Sequence, residues 1–245
     1  MTSAALRQEP AERCLRVGHS IVKAGSSLDR LPSRLEGASW DMVELDVLAD
    51  GDQLIVAHDP SDLSHPRPLR FDDALRALRE LLAPATRLDV DVKATGYEAA
   101  VLQALREADL VHRTLVSTME LSSLRVLRAA APELALGLSV PKARRDYLSH
   151  PLTRPGAYAM LAYLRRVLPR QTERILSSGQ ADAIMAHWGV ITPRLVDAVR
   201  GRGHELYAWT VDEPDRLVRL QRLGVTGVIT NDRELFTRAG LGLLG

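Results

Sequence analysis

The sequence predicts a single α/β domain, a (β/α)8 barrel with a small hairpin after its second strand. Three observations carry this expectation. Strand-like and helix-like runs alternate along most of the chain, and such alternation builds a parallel sheet. About eight strand candidates recur within 245 residues, a length at which a closed barrel is a standard solution. No glycine-rich phosphate loop follows the first strand, which weakens the runner-up, an open doubly wound sheet.

The elements follow in order. Leu15 to Gly18 reads as the first strand and leads into His19. Leu28 to Leu35 has the length of a short helix. Asp41 to Leu48 is the second strand. The Asp50-Gly51 pair after it is a tight-turn signal that sends the chain back through Leu54, Ile55 and Val56 to His58. Leucines and alanines at helical spacing mark Phe71 to Leu82. Strand, helix, strand, helix and strand then occupy Thr86 to Lys93, Glu98 to Ala108, Thr114 to Ser117, Leu121 to Ala130 and Leu134 to Ser139. The pattern blurs from Pro141 to Gly179, where a helix is expected near Tyr158 to Leu168. It returns with strands at Ala181 to Ala186, Glu205 to Val211 and Gly227 to Thr230. Helices at Pro193 to Arg200 and Pro214 to Leu223 stand between them. Both helices begin with a first-turn proline, the former behind a Thr192 cap.

Composition narrows the function classes. The formal net charge is +1 and the basic residues are dispersed, so bulk electrostatics does not point to nucleic acid. Cys14 is the single cysteine, which excludes an internal disulfide and reads as a small buried residue. No apolar run is long enough to span a membrane. Residues 1–13 carry charges of both signs without an apolar core and read as a disordered lead-in to a domain over 14–245. A cytoplasmic protein is expected. Oligomeric state is not legible.

The density of chemistry is highest in MVELDVLADGDQLIVAHD, residues 42–59. Glu44 and Asp46 are two apart, so on a strand they share a face, with Val43, Leu45 and Val47 on the other. Two carboxylates on a strand buried on both sides need a cation or a metal. Asp89, Asp91 and Lys93 share a face of the third strand; they form either a structural ion pair or part of a site. Glu44, Asp46 and Asp91 offer hard oxygen donors and no thiolate, which suits Mg²⁺ or Ca²⁺. His19 and His58 beside such a cation suit acid–base work, Lys93 adds a fixed positive charge, and the set together suits a phosphate ester. These residues fall at the C-terminal ends of strands, where barrel enzymes place their sites. Trp209 lies late in its strand and reads as core or as pocket wall. His187-Trp188 is a weaker pocket candidate. His65, His112, His150 and His204 read as surface or packing residues.

The run VELDVLADGDQLIVAHD resembles the hairpin of the glycerophosphodiester phosphodiesterase family, a TIM-barrel family of the phospholipase C-like phosphodiesterase superfamily. LDVDVK is similar to that family's third strand, and AWTVDEPDRLVRLQRLGVTGVITND to its last two strands. The resemblance implies a divalent-metal phosphodiesterase. His19 and His58 would be the acid–base pair, and Glu44, Asp46 and Asp91 the metal ligands. Lys93 would contact the phosphate and Trp209 would wall the pocket. The substrate would be a small-molecule or lipid phosphodiester. The opening GHSIVKAGSSLDRL departs from the pattern: Ser20 stands where the family has an arginine, and the family's next glutamate is absent. That opening resembles the related sphingomyelinase D/phospholipase D branch, which implies the alternative of a lipid substrate cleaved to a cyclic phosphate. A non-catalytic phosphodiester-binding barrel is the third reading.

Overall fold

The computed structural model describes residues 13–22, 28, 31–35, 39–142 and 154–241. Strands β1 (Leu15–Val22), β2 (Met42–Asp50), β4 (Arg87–Val92), β5 (Thr114–Thr118), β6 (Ala135–Val140), β7 (Ala183–His187), β8 (Glu205–Trp209) and β9 (Gly227–Thr230) form a parallel sheet. Pairing of β1 with both β9 and β2 closes it into an eight-stranded barrel. The short β3 (Gln53–Val56) returns antiparallel along β2 as the expected hairpin, with Gly51 taking a φ of 57° at the turn. Helices α1 (Leu31–Leu35), α2 (Phe71–Leu81), α3 (Glu98–Glu107), α4 (Leu121–Ala130), α5 (Arg154–Ser177), α6 (Pro193–Arg200), α7 (Pro214–Leu223) and α8 (Leu235–Arg238) lie between the strands and after them. Thr192 caps α6 by accepting from the Leu195 amide at 3.3 Å, behind Pro193, as the sequence predicts. No helix among the described residues is long and apolar enough to cross a membrane.

Alternation along each strand separates two cores. Val43, Leu45 and Val47 of β2 face outward into the layer beneath the helices, with Val90, Val116 and Leu138. Val17, Met42, Leu115, Met185, Tyr207 and Ile229 fill the barrel interior. Below them Arg87 donates to both oxygens of Glu205, at 2.7 and 3.0 Å, and to the Tyr207 hydroxyl at 3.1 Å, closing the floor.

Two segments differ from expectation. The helix expected over Tyr158 to Leu168 is the N-terminal and central part of α5, which starts at Arg154 and continues through Pro169 to Ser177. Leu168, Thr172 and Leu176 make its buried stripe, and the Thr172 hydroxyl donates to the Leu168 carbonyl at 2.9 Å. Packing along that stripe offsets the hydrogen bond a mid-helix proline forfeits. β1 extends four residues past Gly18, with a break in its register against β2. Ser20 sits there at a φ of 43°, a left-handed conformation that costs a non-glycine residue roughly 1–2 kcal/mol. Ile21 folds back over Gly18, where a Cβ would lie 2.6 Å from its side chain.

Candidate active site

The registers Glu44↔Asp89 and Asp46↔Asp91 on β2 and β4 bring four carboxylates onto adjacent inward positions. All four are buried. Ligand oxygens of Glu44, Asp46 and Asp91 lie within 4.8 Å of one another. Six-coordinate Mg²⁺ at 2.0–2.1 Å from its ligands needs oxygens roughly 2.9–4.2 Å apart, and Ca²⁺ tolerates wider spacing. One oxygen of Asp91, Oδ1, is buried without a hydrogen-bond partner. Three convergent hard donors, one with an unused buried oxygen, fit a divalent cation.

Lys93 follows directly on β4. Its ammonium stands 2.6 Å from Asp46 Oδ1 and 2.6 Å from Asp91 Oδ2, so it links two of the three metal-type ligands. The bulge of β1 supplies the other support. The Ser20 hydroxyl donates to Asp46 Oδ2 at 2.6 Å, and the Ser20 amide donates to Glu44 Oε2 at 3.2 Å. Where the resembled family has an arginine, this chain has a serine that holds two carboxylates in place.

These contacts separate the protonation behaviour of the four acids. Burial, reinforced by Asp46, pushes Glu44 up to about 7. Burial also acts on Asp46, but the Lys93 ammonium and the Lys93 and Ser20 hydrogen bonds outweigh it and hold Asp46 below the usual carboxylate range. Asp91 is raised by burial, with Lys93 opposing. Asp89, one layer deeper, is driven well up by burial and by Glu44 and Asp91, with Ser117 hydrogen-bonded to it. Lys93 is held charged: its burial is outweighed by Asp91, Asp46 and Glu44.

The histidines flank the carboxylates. His19 Nε2 is 3.6 Å from Glu44 Oε2. On its other side Nδ1 meets Asn231 Oδ1 at 2.9 Å. Asn231 is itself fixed, its side-chain amide donating to Asp212 Oδ2 at 3.0 Å and its backbone amide to Asp212 Oδ1 at 2.8 Å. A carboxylate only accepts, so the Asn231 NH₂ must face Asp212 and its oxygen must face His19. His19 therefore donates from Nδ1 and presents Nε2 to the carboxylate cluster. His58, just after β3, is half exposed, and its Nδ1 meets Asp59 Oδ2 at 3.0 Å. A charged ring there would favour the ionised forms of Asp46 and Asp91, as a charged His19 would that of Glu44.

Trp209 ends β8, which lies across the barrel from β4. Its indole donates to the Met185 carbonyl at 2.9 Å, and its ring meets that of His187 edge-on at 5.2 Å. His187 stands 5.1 Å from Trp188, and Arg216 stacks over Trp188 at 3.6 Å. These residues make an aromatic wall opposite the carboxylates. His65 and His112 are exposed and His204 touches the Asp182 carbonyl. Lys23, Asp29, Glu36 and His150 lie outside the described residues.

The structure thus gathers Glu44, Asp46, Asp91, Lys93 and His19, flanks them with His58 and sets Trp209 across the mouth. Sequence reasoning missed the supporting role of Ser20 and the Asn231–Asp212 pair. The sequence places Asn231 just past the last strand, where a barrel site lies, but nothing local ties it to Asp212 or to a histidine 212 positions away.

A family model described as glycerophosphoryl diester phosphodiesterase matches residues 75–235. The chain is 34% identical over 96 residues to glycerophosphodiester phosphodiesterase GDPD4 of Arabidopsis thaliana, covering 38% of this chain and 29% of that protein. It is 25% identical over 139 residues to a glycerophosphodiester phosphodiesterase of Caldanaerobacter subterraneus, covering 57% and 47%. The matched stretch is thus less than half the length of either relative. Among solved structures, a glycerophosphodiester phosphodiesterase of Parabacteroides distasonis superposes with a TM-score of 0.67 at 16% identity, covering 92% of this chain and 98% of that one. An Oleispira antarctica phosphodiesterase, solved with the product sn-glycerol-3-phosphate, superposes with a TM-score of 0.65 at 16% identity, covering 92% and 96%.

Proposed function

This chain belongs to the glycerophosphoryl diester phosphodiesterase family, and on that premise we propose that it hydrolyses a glycerophosphodiester with the help of Mg²⁺. Glu44, Asp46 and Asp91 would hold the cation, with Ca²⁺ as the other candidate. The observation that carries this reading is the convergence of three carboxylates with the His19 imidazole at their edge. The domain over 14–245 would be the catalytic unit, acting in the cytoplasm on a small or lipid-derived diester.

The bound cation would neutralise charge on a nonbridging phosphate oxygen. The side chains do the rest. One imidazole removes the proton from the attacking hydroxyl as the new P–O bond forms. The other returns a proton to the leaving alkoxide as the old P–O bond breaks. Both rings commit Nδ1 to a partner, Asn231 for His19 and Asp59 for His58, so both act through Nε2. Lys93 holds Asp46 and Asp91 and stands ready to meet the phosphate. Trp209 walls the alcohol side. A glycerol phosphate product, as bound by the Oleispira neighbour, fits a mouth polar on one side and aromatic on the other.

A second reading, cleavage of a lipid diester to a cyclic phosphate, is favoured by Ser20. Its contacts are spent on Glu44 and Asp46, so the first loop supplies the phosphate with no cation at that position.

The test is product release from glycerophosphocholine, lysophosphatidylcholine and sphingomyelin in Mg²⁺, Ca²⁺ or chelator, followed by phosphorus NMR. Metal-dependent formation of glycerol phosphate is expected. A persistent cyclic phosphate from a lipid alone would select the second reading. Full activity in His19→Ala or His58→Ala would sink the two-histidine scheme.

A further inference from the structure

The outer face of α5 carries two exposed large apolar side chains, Met160 at 56% and Tyr163 at 59% exposure. Helical spacing places Tyr163, Arg166 and Arg170 on one stripe. Arg166 and Arg170, together with Pro169 and with Arg194 of α6, line an open hollow of about 710 Å³. All three arginines are exposed, and among the described residues none has an ion-pair or hydrogen-bond partner. Their neighbours do: Arg165 donates to the Gly189 carbonyl, and Arg202 takes up Glu173. The apolar end of the stripe is level with the barrel mouth, because Leu161 packs against Gly189, two residues past the end of β7.

An uncompensated guanidinium cluster continuous with an exposed tyrosine and methionine matches the layered chemistry of an anionic lipid surface. Guanidinium groups take phosphate oxygens in bidentate fashion. Tyrosine favours headgroup depth, and methionine the acyl boundary. A second copy of this chain fits the patch poorly, because a two-fold contact sets the same cations against each other. We propose that the α5–α6 face docks this protein on an anionic phospholipid bilayer, with lipid phosphates seated among Arg166, Arg170 and Arg194. The contact is peripheral, and it sets the rim of the active site beside the membrane.

The test is co-sedimentation of the full chain with vesicles of phosphatidylcholine alone or mixed with phosphatidylglycerol. Each guanidinium near an anionic surface contributes about fivefold to partitioning, so three contribute on the order of 100-fold. Binding is expected to the mixed vesicles only, to fall as salt is raised, and to drop by about 100-fold or more in the Arg166→Glu/Arg170→Glu/Arg194→Glu variant. Tyr163→Ser, which leaves the charges in place, is expected to weaken binding more modestly. Vesicle binding is read without any turnover, so the result is independent of which diester the enzyme cleaves, and turnover of whichever soluble diester it does cleave should be unchanged in both variants. Absence of binding to anionic vesicles overturns the proposal, as does equal binding to neutral ones or undiminished binding by the triple variant. A stable dimer split by Tyr163→Glu would reassign the face to subunit contact. Capture of RNA with the same charge dependence, and no vesicle binding, would reassign it to nucleic acid.

Discussion

Replacing Lys93 by methionine removes a charge while nearly keeping the side-chain volume, and the metal-free protein should suffer for it. The ammonium lies 2.6 Å from oxygens of both Asp46 and Asp91. At an effective dielectric near 20, each contact is worth about 6 kcal/mol of gross Coulomb attraction, most of it offset by the desolvation of the lysine. Breaking a buried pair from one side typically costs a net ~3–5 kcal/mol, because the remaining charge is left without compensation. There is also a ceiling. A carboxylate can protonate instead, which at pH 8 costs about 5.6 kcal/mol for an aspartate of ordinary pKa, and at pH 5 only about 1.5 kcal/mol. Lys93→Met is therefore expected to lose about 3–5 kcal/mol at pH 8 in chelator, roughly 10 °C in Tm for a domain of this size, and much less at pH 5. Mg²⁺ should restore more stability to the variant than to the wild type, since the cation takes over the neutralising role of the lysine. Urea unfolding with EDTA or with saturating Mg²⁺, at both pH values, measures each term. Wild-type stability of the variant in EDTA at pH 8, or an identical Mg²⁺ increment in the two proteins, would refute the assignment of Lys93 as the internal counter-ion.

Three further outcomes follow from the same geometry. Glu44 holds its proton up to about pH 7, and a metal ligand must shed it, so Mg²⁺ affinity should rise with pH and level off above 7; calorimetry in buffers of different ionisation heat would detect the released proton, and a flat affinity from pH 5.5 to 8 would contradict this. Asp212→Asn removes the group that orients the Asn231 amide, so kcat is expected to fall about 10–100-fold with little change in KM, and Asn231→Leu should do the same; unchanged kcat in both would remove this pair from the positioning of His19. Cys14 is 2% exposed and burial pushes its thiol up to about 12 from 9.0. A raised folded-state pKa gives stability that is complete below pH 9 and lost as pH climbs towards 12. The thiol should thus resist disulfide reagents in the native state, label only on unfolding, and contribute to alkaline denaturation in that window.

The barrel was legible because its inward and outward faces differ so sharply in the sequence. Val43, Leu45 and Val47 alternate with Glu44 and Asp46, and a strand converts that alternation into a helix-facing side and a site-facing side. The hairpin was legible because Asp50-Gly51 supplies the positive φ a tight turn requires. The extent of α5 was not, since Pro169 reads as a terminator and only the buried Leu168–Thr172–Leu176 stripe shows why the helix continues. Lys93 was placed in the site by its spacing from Asp91, but its twofold grip needed the β2–β4 register, which no local pattern states. Ser20 looked like a loss, an arginine gone. Its contribution comes from a left-handed backbone that points its amide and its hydroxyl at different carboxylates. Asp89 shares the face of Asp91, and only the register shows it opposite Glu44 one layer lower.

His19 stands on the first strand, and the asparagine that orients it follows the last, 212 positions later. The two meet only where β1 seals against β9. A polypeptide emerging from the ribosome thus carries its carboxylates and the His58–Asp59 pair early, but His19 has no orienting partner until the final strand is made and the seam shuts. Alignment of His19 is therefore tied to completion of the ring, not to any single segment of the chain.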